Sequence, residues 1–231
     1  MQRLSLYLKR KTLVNADDKA YEVISSIFLA IGFAVLCFLI EMVVSVVLGF
    51  LFQGTIVTNI NGTDNLVTQL LLFSLPSTIC FSVLPITYLA LARKWKMEDF
   101  GLRIVGTKRS MVIKCLCFAF LGISLYRLFT FHNFDLAIRL LLVFIFVAIN
   151  EEIVVRGILY RILNNRFKRF MSAIIASFIF AFILHSGSDF FSNFVARFPL
   201  SLLLFVLYTY SGDIYSSMMF HFAYNILVNS I

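Results

Sequence analysis

The sequence predicts an all-α, polytopic membrane protein, and two observations indicate this fold class. Hydrophobic residues make up 61% of the chain and charged residues only 14%, whereas a soluble domain is about one-half apolar and one-quarter charged. The apolar residues also gather into long runs, separated by short polar stretches, as expected for helices that cross a bilayer. We therefore expect a polytopic helical membrane protein with about seven transmembrane helices, and six or eight remain compatible with the pattern.

The apolar runs define the expected spans in chain order. The first apolar run is too long for the hydrophobic core of a cleaved signal peptide, so we expect no cleaved signal peptide. Glu41 interrupts this first run, and we expect it to line an interior cavity or to pair with a basic residue. Pro76 and Pro85 are expected to kink the second run. The seven predicted spans are Val23–Phe52, Leu66–Ala92, Met111–Phe129, Leu136–Leu163, Phe170–Ser186, Phe194–Tyr210 and Ile214–Ile231.

The basic residues predict the orientation of the chain. Lys and Arg cluster in the loops Arg93–Arg109 and Arg161–Arg169, whereas Gln53–Asn65 contains neither residue type. Because cytoplasmic loops carry the excess of Lys and Arg, we expect the first two loops and the amino terminus inside and Gln53–Asn65 outside. Contact with anionic lipid headgroups then accounts for the net charge of +8, and we expect no nucleic-acid partner.

We expect residues 1–231 to form a single membrane domain, in which 1–135 supplies amino-terminal spans and loops and 136–231 the motif-bearing catalytic core. The four cysteines lie within apolar runs and form no CxxC pair or zinc-finger spacing. We expect them to be small buried hydrophobic residues. They are Cys37, Cys80, Cys115 and Cys117.

Three charged residues interrupt the fourth apolar run. Glu152 and Arg156 are four residues apart, so on a helix they can form an ion pair. Glu151 projects about 100° away from Glu152 and has no such local partner. Charges at bilayer depth are expensive unless they are paired or used. Glu151, which has no local partner, is therefore a candidate general base. The alternative is a purely structural role, in which all three residues hold neighbouring helices together.

Further polar residues interrupt the later runs. A rise of about 1.5 Å per residue places His221, Glu151 and His185 roughly 12, 17 and 23 Å from the basic side, around the middle of the bilayer. Asn225 shares a helix face with His221. Two chemistries suit this set. A carboxylate and a histidine can activate water while the other histidine and the amide stabilise an oxyanion. Alternatively, Glu151, His185 and His221 could bind Zn²⁺, although no HExxH motif is present.

These residues resemble the motifs of the CAAX protease and bacteriocin-processing (Abi) family of intramembrane proteases. Glu151-Glu152-Ile153-Val154-Val155-Arg156 matches the family's EExxxR, and His221-Phe222-Ala223-Tyr224-Asn225 matches its HxxxN. The remaining motif, FxxxH, is imperfect. His185 is present, but Ala181 stands four residues before it, between Phe180 and Phe182.

The resemblance implies a helical membrane endopeptidase. In this interpretation Glu151 and His185 activate water, and His221 and Asn225 stabilise the oxyanion. Glu152 and Arg156 then support the site. Family members are commonly labelled metalloproteases, but this mechanism needs no metal. We therefore predict no cofactor and keep zinc as the alternative, with Glu151, His185 and His221 as ligands.

The expected partners are the lipid bilayer and a peptide or protein substrate at the membrane. We expect an integral protein of a bacterial cell membrane. The family includes prenyl-protein processing enzymes, bacteriocin-immunity proteins and regulators of peptide signalling, and the sequence does not choose among them. Two hypotheses from other classes are a non-catalytic immunity factor or scaffold and a small transporter that relays protons. A transporter often shows paired repeats and matching broken helices, which this sequence lacks.

Overall fold

The computed structural model describes residues 2–53 and 66–229, and these residues form seven helices and no β-strand. The predicted all-α fold is therefore confirmed. Residues 54–65, most of the predicted external loop, lie outside the described residues, as do residues 230 and 231 at the end of the last predicted span. The helices are α1 (Gln2–Gln53), α2 (Leu66–Arg93), α3 (Lys108–Phe131), α4 (residues 134–164), α5 (Arg169–Leu184), α6 (Phe190–Ser211) and α7 (Tyr215–Asn229).

Four helical segments are long and apolar enough to cross a membrane: Tyr21–Phe52 of α1, and the whole of α2, α3 and α6. This agrees with an integral membrane protein. The α4 helix is long but carries the charges of the predicted site, and α5 and α7 are shorter, with 15 residues in α7. That all seven helices cross the bilayer stays a prediction.

Wider π-helical turns interrupt several of the helices. Two of them, Leu70–Ser74 and Ile79–Val83, lie in α2, and each ends two residues before a proline, at Pro76 and Pro85. Proline has no N–H to donate and its ring crowds the carbonyl four residues earlier, so the preceding turn widens. The remaining π-helical turns are Ile153–Leu159 in α4, Phe180–Leu184 in α5 and Asn193–Arg197 in α6.

The core surrounds the middle of α4. Val154 and Val155 are fully buried there against α1, α5 and α6. Small side chains let the neighbouring helices approach closely, which is how helices commonly pack within a membrane. The alanines of this contact are Ala30 and Ala34 of α1 and Ala173 and Ala176 of α5.

The connection between α2 and α3 packs onto the π-helical turn of α4. A Cβ atom on Gly157 would lie 2.9 Å from the carbonyl oxygen of Phe100, so only glycine allows this approach. Phe100 itself is fully buried. The same connection is held to the turn before α7, because Asp213 accepts a hydrogen bond from the backbone N–H of Val105 at 2.9 Å and pairs with Lys114 at 2.5 Å. The fourth helix is thus fixed from the predicted cytoplasmic side.

The cysteines follow the prediction with one exception. Cys37, Cys80 and Cys117 are buried, but Cys115 is exposed. Both Cys115 and Cys117 lie on α3, where a separation of two residues turns a side chain by about 200°. The two thiols therefore cannot both face the bundle, and burial of Cys115 was predicted wrongly.

Candidate active site

Glu152 and Arg156 form an ion pair inside the bundle. Arg156 Nη1 donates to Glu152 Oε1 at 2.9 Å, and both side chains are fully buried. Arg156 Nη2 also donates to the backbone oxygen and the hydroxyl of Ser201, each at 2.8 Å. The guanidinium carbon lies 4.7 Å from the centre of the Phe205 ring. The arginine therefore ties α4 to α6 and neutralises Glu152, as the four-residue spacing predicts.

Glu152 also holds His221. The Nδ1 atom of His221 lies 2.9 Å from Glu152 Oε1, the oxygen that also accepts from Arg156. A carboxylate in an ion pair accepts only, so Nδ1 carries the proton in this hydrogen bond. His221 is 3% exposed. Its ring is thus oriented from one side by Glu152, and its Nε2 atom is directed at Glu151.

Glu151 faces away from this ion pair and is a quarter exposed. Its Oε1 lies 3.6 Å from His185 Nε2 and its Oε2 lies 3.5 Å from His221 Nε2. These distances exceed those of ordinary direct hydrogen bonds. Open space adjoins all three side chains. One carboxylate is therefore centred between two imidazoles, with space at the junction for a small polar molecule.

The position of His185 depends on a π-helical turn. His185 follows Phe180–Leu184 at the end of α5, and its Nδ1 lies 3.0 Å from the backbone oxygen of Phe180. Since a carbonyl oxygen only accepts, Nδ1 is the protonated nitrogen, and the neutral ring presents an acceptor at Nε2 towards Glu151.

The same turn explains the imperfect motif before His185. A π-helix brings together residues that are five apart, rather than four. The Phe180 ring accordingly packs against the His185 ring, with centroids 4.6 Å apart. Phe180 thus provides the aromatic contact that Ala181, four residues before the histidine, cannot make.

Asn225 lies one turn after His221 on α7 and lines the same cavity as Glu151, His185 and His221. Its side-chain amide makes no hydrogen bond to another described residue, whereas its backbone oxygen accepts from Asn229 at 2.8 Å. The six residues singled out from the sequence are therefore brought together. Five of them form one contact network, and the sixth presents a free amide to the cavity beside it.

Two cavities meet at Glu151 and His185. The first, of about 250 Å³, lies between α1, α2, α4 and α5, and we call it the apolar cavity. The second, of about 330 Å³, lies between α4, α5, α6 and α7, and we call it the polar cavity. Side chains that line only the apolar cavity include Phe38, Glu41, Phe73, Ser77 and Val143, and those that line only the polar cavity include Phe144, Arg197, His221, Tyr224 and Asn225.

Comparison with known families identifies the segment that contains the candidate site. Residues 133–227 match the family model described as type II CAAX prenyl endopeptidase Rce1-like. The match confirms the predicted resemblance to CAAX proteases. It covers less than half of the chain, but the matched segment contains every residue of the network and Asn225. No curated protein and no solved structure matched the chain.

Sequence reasoning gave no role to two polar residues within this Rce1-like segment. Asn150 is buried beside Glu151, where its amide accepts from Ser82 at 2.6 Å and donates to the hydroxyl groups of Ser77 and Thr78 at 3.2 and 3.0 Å. It thereby ties α4 to α2. A polar residue directly before two glutamates in an apolar run was the signal available for it.

The structure also brings Arg197, which lies near the start of the sixth predicted span, into the polar cavity. Its Nη1 donates to Asn193 Oδ1 at 3.0 Å and to the Ser192 hydroxyl at 3.2 Å. Asn193 in turn donates to the backbone oxygen of His185 at 3.0 Å. Among the described residues, no carboxylate lies within ion-pair distance of Arg197. The guanidinium is therefore held close to His185 by a single intermediate residue while its charge stays unpaired.

The zinc alternative requires three side chains arranged around one metal ion. Its ligands would be Glu151, His185 and His221, but among the described residues no three His, Cys, Asp or Glu side chains are spaced to hold one metal ion. The residues therefore do not fit a preformed metal site, and no step of the mechanism below uses one. The absence of a cofactor stays a prediction.

Proposed function

We propose that this protein is an intramembrane endopeptidase that hydrolyses a peptide bond of a membrane-associated protein or peptide with water activated by Glu151 and His185. The observation that carries the proposal is the Glu151 carboxylate, centred between two imidazole Nε2 atoms at 3.5 and 3.6 Å where two cavities meet. A carboxylate and a neutral imidazole that both accept hydrogen bonds are suited to orient a water molecule and to remove its proton.

In the proposed reaction the water oxygen attacks the peptide carbonyl carbon, and Glu151 with His185 takes up one water proton. The carbonyl oxygen becomes an oxyanion. It accepts a hydrogen bond from the Asn225 amide, and one from His221 Nε2 while both nitrogens of that ring carry protons. The carbon–nitrogen bond then breaks, and the proton held by Glu151 and His185 passes to the leaving amine. The products are a new carboxylic acid and a new amine.

Glu152 and Arg156 support this site without contacting the substrate. Glu152 accepts from His221 Nδ1 and so fixes the ring on which oxyanion stabilisation depends. Arg156 compensates the Glu152 charge. The two cavities then offer different environments to the substrate: the apolar cavity suits an apolar side chain or a lipid group, and the polar cavity suits peptide backbone and an anionic end.

The test is proteolysis by the full-length protein in nanodiscs, with mass spectrometry of the products. The substrates are membrane-anchored peptides, including peptides with a prenylated cysteine near a free carboxyl terminus. We expect the wild type to cut one defined bond and Glu151→Gln and His185→Ala to lose cleavage while remaining folded. Glu98→Gln, which changes a half-exposed carboxylate on the α2–α3 connection, is the matched control and should retain full activity.

Cleavage by Glu151→Gln at the wild-type rate would refute the assignment of the base. A wild type that cleaves none of the peptides but binds them would favour the non-catalytic scaffold. Elemental analysis of the active protein, with activity assayed before and after exhaustive chelation, tests the metal. Stoichiometric zinc whose removal abolishes activity and whose return restores it would replace the proposed mechanism by a metal-dependent one.

A further inference from the structure

A second feature lies away from the active site, where α3 and α5 begin and α6 ends. A groove of about 490 Å³ runs between these helices. Its floor is apolar and comes from α5 and α6. The residues of this floor are Ala173, Leu202, Phe205 and Val206.

Two arginines line the groove. Arg109 is the second residue of α3, Arg169 is the first residue of α5, and both are exposed. The guanidinium of Arg109 stacks over the Tyr210 ring, with its central carbon 3.8 Å from the ring centre. One arginine of the groove is thus held in place by an aromatic ring rather than extended into solvent.

Neither arginine has a carboxylate partner within 4.0 Å among residues 21–52 and 66–229, whose side chains the structure describes. Nearby arginines on the same side do: Arg161 pairs with Asp99 at 2.7 Å and Arg166 with Glu22 at 3.0 Å. The groove therefore combines an apolar surface with two guanidinium groups that have no carboxylate partner among these residues. The amino termini of α3 and α5 add partial positive charge at the same end.

From this arrangement we propose that the groove binds an anionic glycerophospholipid. Guanidinium groups match the geometry of phosphate oxygens, and an acyl chain satisfies the apolar floor along α6. The basic loops on this side favour the leaflet that carries anionic lipid. A lipid bound here contacts the start of α5 and the end of α6, whereas His185 and Arg197 lie at the other ends of these helices. The proposed lipid binding does not depend on the proposed proteolysis.

The test measures lipid adducts of the full-length protein by native mass spectrometry, with phosphatidylglycerol or phosphatidylcholine added to the detergent-solubilised sample. We expect wild type to retain phosphatidylglycerol preferentially. Replacing both groove arginines, Arg109→Ala with Arg169→Ala, should weaken this binding by about tenfold or more, because charge-assisted hydrogen bonds to the phosphate are lost.

The matched control replaces the two neighbouring lysines, Lys108→Ala with Lys168→Ala. This control also removes two positive charges at the amino termini of α3 and α5, but neither lysine lines the groove. Binding within about twofold of wild type is expected. An equal loss in both double variants would overturn the proposal, because it would show general attraction to a basic surface.

A third variant, Leu202→Trp, fills the groove and keeps both arginines. It should lose the lipid as well, which separates a lipid with an acyl chain from a free phosphate ion. Retention of phosphatidylglycerol by this variant, or its displacement from wild type by millimolar inorganic phosphate, would overturn the acyl-chain part. Equal, arginine-independent binding of phosphatidylcholine would overturn the preference for an anionic headgroup. Thermal unfolding of each variant verifies that it is folded.

Discussion

The apolar and polar cavities share Glu151, His185 and Val147, but they offer a substrate different surroundings. On α4 the division falls between neighbours: Val143 lines the apolar cavity and Phe144 the polar one. The candidate oxyanion donors, His221 and Asn225, lie only on the polar side. Under the proposed mechanism, the apolar cavity would select the substrate by shape and the polar cavity would hold the reacting carbonyl group.

The buried ion pair of Glu152 with Arg156 ties α4 to α6, and breaking it should have the largest effect on stability. Glu152→Ala leaves the Arg156 guanidinium buried without its counter-ion and His221 Nδ1 without its acceptor. Removing one partner of a buried pair typically destabilises a protein by about 3–5 kcal/mol. We expect a loss of this size in the free energy of unfolding, measured by denaturation in detergent.

The adjacent glutamate is the matched comparison. Glu151 faces the cavities and has no contact shorter than 3.5 Å to either imidazole. Glu151→Ala should therefore lose activity with a much smaller loss of stability than Glu152→Ala. Equal destabilisation by the two variants would contradict the distinction between a reactive and a structural carboxylate.

The sequence predicted the helices and the pairing of Glu152 with Arg156 because both depend on local patterns. Apolar runs indicate the helices, and a spacing of four indicates that Glu152 can reach Arg156. The shared contacts of Glu151 with His185 and His221 were harder to predict. They join three helices that are distant in the chain, and the motif resemblance was needed to select them.

The π-helical turns and the division into two cavities could not be read from the sequence. A pattern analysis assumes 3.6 residues per turn, so it looks for an aromatic residue at Ala181 and misses the contact of Phe180 with His185. Arg197 was ambiguous for a related reason. A lone arginine near the start of a span can extend to the membrane surface, and only the fold brings it into the polar cavity.

Asn225→Ala should lower the reaction rate strongly, although less than loss of Glu151 or His185. The amide is a candidate oxyanion donor, and loss of one such donor typically lowers the rate about 10²–10³-fold. We expect this decrease in kcat with little change in unfolding temperature. Asn164→Ala, which changes an exposed asparagine at the end of α4 that lines neither cavity, is the control and should stay close to wild type. A fall in stability without a fall in kcat per folded molecule would make Asn225 structural.

Arg197→Gln is expected to have the next largest effect. The unpaired guanidinium is suited to an anionic group of the substrate, and a hydrogen bond to a charged group contributes about 1.5–3 kcal/mol. The expected loss in kcat/KM is about tenfold to hundredfold, mainly through KM. Peptides with a free terminal carboxylate and their amides should be compared, because the loss should affect only the acids. Arg166→Gln, at the surface, serves as the control, and equal losses for acids and amides would contradict the assignment.

A substitution in the apolar cavity should have the smallest effect, and it should change substrate preference rather than the reaction rate. Phe73 lines this cavity and not the polar one. Phe73→Ala removes an aromatic ring from the wall, so the cavity should accept a larger apolar group. We expect the ratio of kcat/KM values for peptides with large and small apolar groups to shift by about tenfold towards the large ones, a size typical of changes in an apolar pocket. The rate for the best substrate should change little, since the oxyanion donors are untouched.

Phe118→Ala, at a largely exposed position on α3, removes the same ring from the outer surface and should leave the ratio unchanged. An unchanged ratio for Phe73→Ala, or a loss of kcat on every substrate, would show that the two cavities do not divide selection from chemistry.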